Sequence, residues 1–153
     1  MAALPDAGAL AETKRWCESG PLLQGSRITT PYVDVSDEAQ VIRFRYEVAA
    51  QQETDRIRLL FNNAGIAGGG SIFDDRKTWE RAFNICWGGV YHSTRAFLPM
   101  LRKADAAHIV NTSSINGFWA SAGPNVLHTA YSAAKFAVKG FTEALIADLR
   151  VAR

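Results

Sequence analysis

Ala134, Val138, Phe141, Leu145 and Leu149 follow one another at spacings of 4, 3, 4 and 4 residues, a single apolar stripe at the helical period. The stripe predicts a helix over residues 129–150. Most of the other positions there are small or apolar too (Ala133, Ala137, Ala144, Ala147), so this helix is expected to be covered on two sides, by a sheet and by a second subunit. Helical patterns also run over residues 7–18, 37–52 and 76–101. Ser36 is placed to cap the second of these, with Asp37 and Glu38 in its first turn; Asp74 or Asp75 is placed to cap the third. Three short β-like runs alternate with the helices: "RITTPYVDV" (27–35), "RIRLLFNN" (56–63) and "HIVNTSS" (108–114). Strand and helix in alternation predict βαβ units, and hence an α/β fold with a parallel sheet and flanking helices.

At 153 residues the chain has the length of one domain, expected to span 1–153. Apolar residues at 48% and charged residues at 21% match a globular composition. No apolar run approaches the roughly 18 residues of a membrane span, and the opening "MAALPDAGALAETKRW" lacks a signal-peptide hydrophobic region. A cytoplasmic protein is the expectation. Acids and bases are interspersed around a net charge of +2, so neither nucleic acid nor an anionic membrane is an expected partner. Cys17 and Cys86 are too few for a disulfide framework, and His92, His108 and His128 show no ligand spacing, so no metal centre is expected. There are no internal repeats; Gly68 to Gly70 is the one low-complexity feature.

Within the last helix Tyr131 and Lys135 stand four apart, which puts them on one face with Cβ atoms roughly 5 to 6 Å apart. Tyrosine with its ordinary pKa of about 10 is a poor base at neutral pH. An ammonium 4 Å away attracts a phenolate by about 4 kcal/mol at an effective dielectric near 20. That is enough in principle to bring the phenol into working range as a proton donor or acceptor. Taken alone the pair also reads as an ordinary helix surface; its company changes the reading. "HIVNTSS" ends in Ser113 and Ser114, and "LLFNN" runs into "NNAG" (62–65), both at the carboxyl ends where parallel sheets place ligands. Asn84 lies inside a helix between Phe83 and Ile85, where a buried amide serves either as a structural tie or as part of a polar relay.

"NNAG", "IVNTSS" and "YSAAK", in this order, resemble the short-chain dehydrogenase/reductase family, and the resemblance covers about residues 32–150. "DVSDEAQV" (34–41) resembles the stretch after that family's third strand. The resemblance implies a Rossmann-like fold and reversible hydride transfer between NAD or NADP and a small-molecule alcohol or carbonyl. It implies that Tyr131 is the catalytic acid or base, that Lys135 lowers its pKa and holds the nicotinamide ribose, and that Ser114 hydrogen-bonds the reacting substrate oxygen. Asn84 is implied to hold the water of a proton relay, Asp34 and Val35 to contact the adenine, and Asn62, Ala64 and Gly65 the adenosine ribose side. It further implies a homo-oligomer built through helices 76–101 and 129–150. Phe118 and Trp119, in the stretch between Ser114 and Tyr131, read either as an apolar substrate wall or as a loop packed on its own core.

The sequence departs from the family at both ends. No strand followed by a T-G-x-x-x-G-x-G turn is present; Gly8, Gly20 and Gly25 are scattered. The family's first two strands, its sixth and seventh strands and its substrate-binding segment have no counterpart, so a truncated Rossmann-like domain is expected. In the strand order 3-2-1-4-5-6 the run "PYVDV" then has no neighbour beside "LLFNN". A non-catalytic remnant that serves as an oligomerisation module, or an incomplete gene product, stands as the alternative to an active oxidoreductase.

Overall fold

A computed structural model describes residues 7–66, 70–121, 123 and 126–151. Helix α1 (Ala7–Ser19) is followed by an extended segment and by α2 (Glu38–Gln51). Strand β1 (Leu59–Asn62) leads to α3 (Arg76–Phe83), a π-helical turn (Asn84–Gly88) and α4 (Gly89–Leu101). Strand β2 (His108–Asn111), a 3-10 turn (Ile115–Gly117) and α5 (Thr129–Val151) complete the order. The two strands pair in parallel, Leu59 opposite His108 and Asn62 opposite Asn111.

Local chemistry decides where the helices start. Asp37, in extended conformation, accepts from the Gln40 backbone N–H and caps α2. The expected cap, Ser36, is instead drawn into the preceding turn, where its N–H and hydroxyl both donate to the Asp34 carboxylate at 2.9 and 2.7 Å. Asp75 caps α3 through the N–H groups of Lys77 and Thr78. Asp74 is unavailable for that role because it accepts from Ser71 N. The single helix expected over 76–101 is three pieces: an inserted residue widens the turn at Asn84–Gly88, and Pro99 lies inside α4.

The expected strand over 27–35 is absent; this stretch is extended chain without ladder partners. A parallel strand exists only through its neighbour's backbone groups, and the position beside this segment is not filled by β1. Side chains hold it instead: Arg27 donates to the Gln51 carbonyl, and Gln52 Nε2 donates to Thr29 Oγ1 at 3.1 Å. The other two runs also shorten, to four residues each.

Period-two alternation sorts the sheet into two unlike faces. Leu60, Asn62, Ile109 and Asn111 turn inward, whereas Leu59, Phe61 and Val110 are exposed, Phe61 at 63%. The inward face packs on Phe97, Met100 and Leu101 of α4 together with Phe44 and Val48 of α2. Helix α5 buries Ala130, Ala134 and Val138 completely, while Ala133, Ala144 and Ala147 on its other side are exposed. Coverage of that second side by another subunit is thus not part of this single chain. No helix among the described residues is long and apolar enough to cross a membrane.

The two faces predict opposite responses to mutation. Phe97→Ala is expected to lower unfolding free energy by about 3 to 5 kcal/mol in urea titrations. Phe61→Thr, on the uncovered face, is expected to change it by about 0.5 kcal/mol or less while reducing light scattering at high concentration.

Candidate active site

The amino end of α5 is fastened before it delivers any chemistry. Ala130 N and the Thr129 hydroxyl both donate to the Gly70 carbonyl, at 2.8 and 3.1 Å. Trp79 Nε1 donates to Thr129 Oγ1 at 3.0 Å. Gly70 has φ of 79°, and a Cβ there would stand 2.7 Å from the Ala130 Cβ, so only glycine permits this seat. Gly70, the last of the three glycines at 68–70, is thus used for helix packing; Gly68 and Gly69 lie outside the described residues.

One turn further along, Lys135 is 3% exposed and its Nζ donates to the Thr112 carbonyl at 2.7 Å, just beyond the end of β2. The Ser113 hydroxyl donates back to the Lys135 carbonyl at 3.2 Å. Gly117 closes this corner: a Cβ would lie 2.8 Å from the Lys135 carbonyl oxygen, so the 3-10 turn needs a glycine to approach α5. From β1's side, a Cβ on Gly65 would sit 3.8 Å from Cys86 Sγ and 3.9 Å from Lys135 Nζ. Burial lowers the Lys135 pKa, and the neighbouring Cys86 opposes that shift. Cys86, wholly buried at the π-helical turn, was invisible as a site neighbour in the sequence because 49 positions separate it from Lys135.

Tyr131 is half-buried, with Lys135 Nζ 5.5 Å from its ring centroid, inside the range of a cation–π contact. The His128 ring meets the Tyr131 ring edge-on, with centroids 6.1 Å apart. Ser114, also half-buried, begins the 3-10 turn: its Oγ accepts from Asn116 N at 3.2 Å and donates to Asn116 Oδ1 at 3.4 Å. Asn84 is exposed at the head of the π-helical turn, contrary to the expected buried amide. It lies off the inward face formed by Ala82, Ile85 and Cys86. Phe118 and Trp119 are 66% and 73% exposed, so the loop does not pack them into its own core.

Val35, Asn62 and Ala64 border one cleft, and Asp34 precedes Val35 in the chain. The cleft, of about 370 Å³, runs between the extended segment and β1, lined by Val33, Val35, Leu59, Phe61 and Ala64. Asp34 is tied into its own turn by Ser36. Val35 presses so closely on α4 that a Cβ on Gly89 would come within 2.8 Å of it. The Asn62 amide points inward, donating to Thr94 Oγ1 at 3.1 Å and Asn111 Oδ1 at 2.8 Å; Asn111 in turn donates to Thr142 Oγ1 at 2.9 Å. This buried ladder of amides and hydroxyls was missed in the sequence. Its signal was there: "FNN" and "VNT" place an asparagine at the same register of two paired strands.

Among the described residues no group of three His, Cys, Asp or Glu is arranged to hold a metal. Lys135 and Tyr131 are set beside each other on α5, and the Lys135 bond to Thr112 O seats them at the carboxyl end of β2, with Ser114 two residues beyond Thr112.

The short chain dehydrogenase family model matches residues 9–153. Over 149 residues the chain is 37% identical to the Mycobacterium tuberculosis protein SadH, covering 97% of this chain and 50% of that protein. It is 35% identical over 142 residues to a cyclopentanol dehydrogenase of Comamonas, covering 92% of this chain and 51% of the relative. A short chain dehydrogenase/reductase from Burkholderia phymatum, solved in complex with NAD, superposes with a TM-score of 0.82 at 35% identity, over 97% of this chain and 50% of that one. A metagenomic short-chain oxidoreductase in complex with NADP gives 0.78 at 25% identity, over 96% and 63%. The chain spans about half the length of the curated relatives it matches.

The buried ammonium makes a signed prediction. Below its lowered folded pKa, Lys135 is charged in both states and the chain carries the full cost of burying it. Between that value and the ordinary 10.5 the unfolded chain binds more protons, so stability rises with pH. The unfolding free energy of the wild type minus that of Lys135→Met is therefore expected to climb as pH approaches 10.5; a flat difference in chemical denaturation would refute this. In the same assay Gly117→Ala is expected to cost about 1 to 3 kcal/mol through overpacking.

Proposed function

Because the chain belongs to the short chain dehydrogenase family, we propose that it carries the proton-transfer centre of an oxidoreductase acting between NAD(P) and an alcohol or carbonyl. The observation that carries this reading is the placement of Lys135: buried, bonded to Thr112 O at the end of β2, and 5.5 Å from the Tyr131 ring centroid.

The residues fit the ribose end of such a cofactor on the chemistry of their donors. An ammonium has three N–H donors, and the bond to Thr112 O engages one. Gly65, without a side chain, keeps the adjoining space open, and the cleft beside Ala64 and Val35 offers apolar walls for a flat base. Asp34, Val35, Ala64 and Gly65 are assigned to the adenosine side and Lys135 to the nicotinamide ribose. Asn62 is assigned to holding the strand ends together, since its amide is committed to Thr94 and Asn111. The bound nicotinamide supplies the hydride chemistry, and the chain manages the proton and the orientation.

In that role Tyr131 gives its hydroxyl proton to the substrate oxygen during reduction and takes it back during oxidation. Lys135, with Nζ 5.5 Å from the ring centroid, sets a positive charge beside that phenol. Ser114, whose Oγ is held by the Asn116 backbone N–H at 3.2 Å, presents its hydroxyl to the substrate oxygen, where a positioned donor stabilises developing charge. Asn84, exposed at the π-helical turn, is left free to hold a water that refills the proton. Trp119 and Phe118 are placed as an exposed apolar margin for the substrate. The second side of α5, with Phe136 and Ile146 exposed beside the small Ala133 and Ala147, supports a homo-oligomer through helices 76–101 and 129–150.

Two outcomes are expected. NADH or NADPH should bind in calorimetry, and Tyr131→Phe should abolish alcohol oxidation, tested on cyclopentanol and a panel of larger secondary alcohols, while sparing that binding. No heat with either nucleotide would sink the reading. Sedimentation should show a species larger than the monomer, and Ile146→Asp should shift it toward the monomer.

A further inference from the structure

The side chain of Asn116 connects two groups that the reaction needs in register. It is 7% exposed, and each of its polar atoms is spoken for. Oδ1 faces the Ser114 hydroxyl at 3.4 Å; Nδ2 lies 3.3 Å from the Trp119 carbonyl and 3.0 Å from His128 Nε2. The Trp119 carbonyl can only accept, which fixes that end of the amide as nitrogen and leaves Oδ1 toward Ser114. For this contact to be a hydrogen bond His128 Nε2 must accept, which requires the Nδ1–H tautomer. The same ring stands edge-on to Tyr131, three residues along the chain.

We propose that Asn116 and His128 are positioning residues: neutral His128 holds the Asn116 amide in the one orientation that pins the Ser114 turn, and protonation of His128 releases it. The proposal rests on the reading of Ser114 and Tyr131 as partners in one reaction. A protonated ring puts an N–H against the Asn116 NH2, two donors facing each other. The amide must then rotate, which takes Oδ1 from Ser114 and the donor from Trp119 O, and frees the loop carrying both. Among the described residues, the contacts that face the ring are the neutral Asn116, from the 3-10 turn, and Tyr131, from α5. The charged group beyond is Lys135, on the Tyr131 ring. Histidine is the side chain whose charge changes in the physiological range, and a charged ring is the form that this contact with the Asn116 NH2 excludes.

The test is NMR on the 15N-labelled full chain between pH 5 and 8.5. At the alkaline end His128 is expected as the Nδ1–H tautomer. The Asn116 side-chain NH2 and the Ser114 amide signals are expected to move with the same midpoint as the His128 ring. In His128→Gln, whose amide oxygen can still accept from Asn116, those two signals should lose their pH dependence. In Asn116→Ala the Ser114 signal should no longer follow His128. A thermal melt on each variant confirms folding. An Nε2–H tautomer, or Asn116 and Ser114 signals that ignore His128 or still titrate in folded His128→Gln, would overturn the proposal. NADH and NADPH added to the same samples test the underlying reading separately: no shift with either removes the oxidoreductase assignment, while the shared midpoint still decides the latch.

Discussion

The bond from the buried Lys135 ammonium to the Thr112 carbonyl is the constraint on which the site depends. A cation taken out of water costs several kcal/mol unless it is well bonded, so this contact fixes where α5 sits against the end of β2. The position of Lys135 places Tyr131 one turn earlier, brings the Ser113 hydroxyl onto the Lys135 carbonyl and demands a glycine at 117. Gly65 and Cys86 complete the enclosure from β1 and from the π-helical turn. A buried ammonium whose pKa is lowered by burial, 5.5 Å from a phenol ring, is the kind of perturbed group on which the proposed chemistry rests.

The strand ends that receive this helix are themselves tied crosswise. Asn62 and Asn111, opposite each other in register, share a hydrogen bond and reach Thr94 of α4 and Thr142 of α5. A two-strand sheet has little ladder of its own, and this polar cross-bracing links both strands to the helices on either side of the site. The sheet's far face, with Leu59, Phe61 and Val110 exposed, is unlike the doubly covered parallel sheets of α/β proteins. That agrees with a chain that spans about half of its relatives.

Much of this was legible in the sequence where a local rule governed. The helical stripe in α5 and the β-like runs at 56–63 and 108–114 found their elements, and the four-residue spacing set Tyr131 and Lys135 one turn apart on α5, because helix and strand periods act over a few residues. Misreadings came where a distant partner decided. The run at 27–35 has strand composition but no neighbour to pair with. Ser36 lost the cap to Asp37 because Asp34 captured its hydroxyl. Asn84 is exposed because the packed side of its helix is set by Ala82, Ile85 and Cys86, which its own two neighbours in sequence do not reveal. Asn116, His128 and Cys86 reach the site only through tertiary packing, and no spacing rule joins them to Tyr131.

The central claim is that Lys135 serves ligand chemistry rather than stability. Fluorescence titration of NADH and NADPH against the wild type and Lys135→Met at pH 8, with a urea denaturation of each, tests it most directly. The account predicts that the nucleotide binds the wild type, that Lys135→Met weakens this at least about tenfold, a loss of roughly 1.4 kcal/mol, and that the variant remains cooperatively folded. Equal binding by two folded proteins would contradict it.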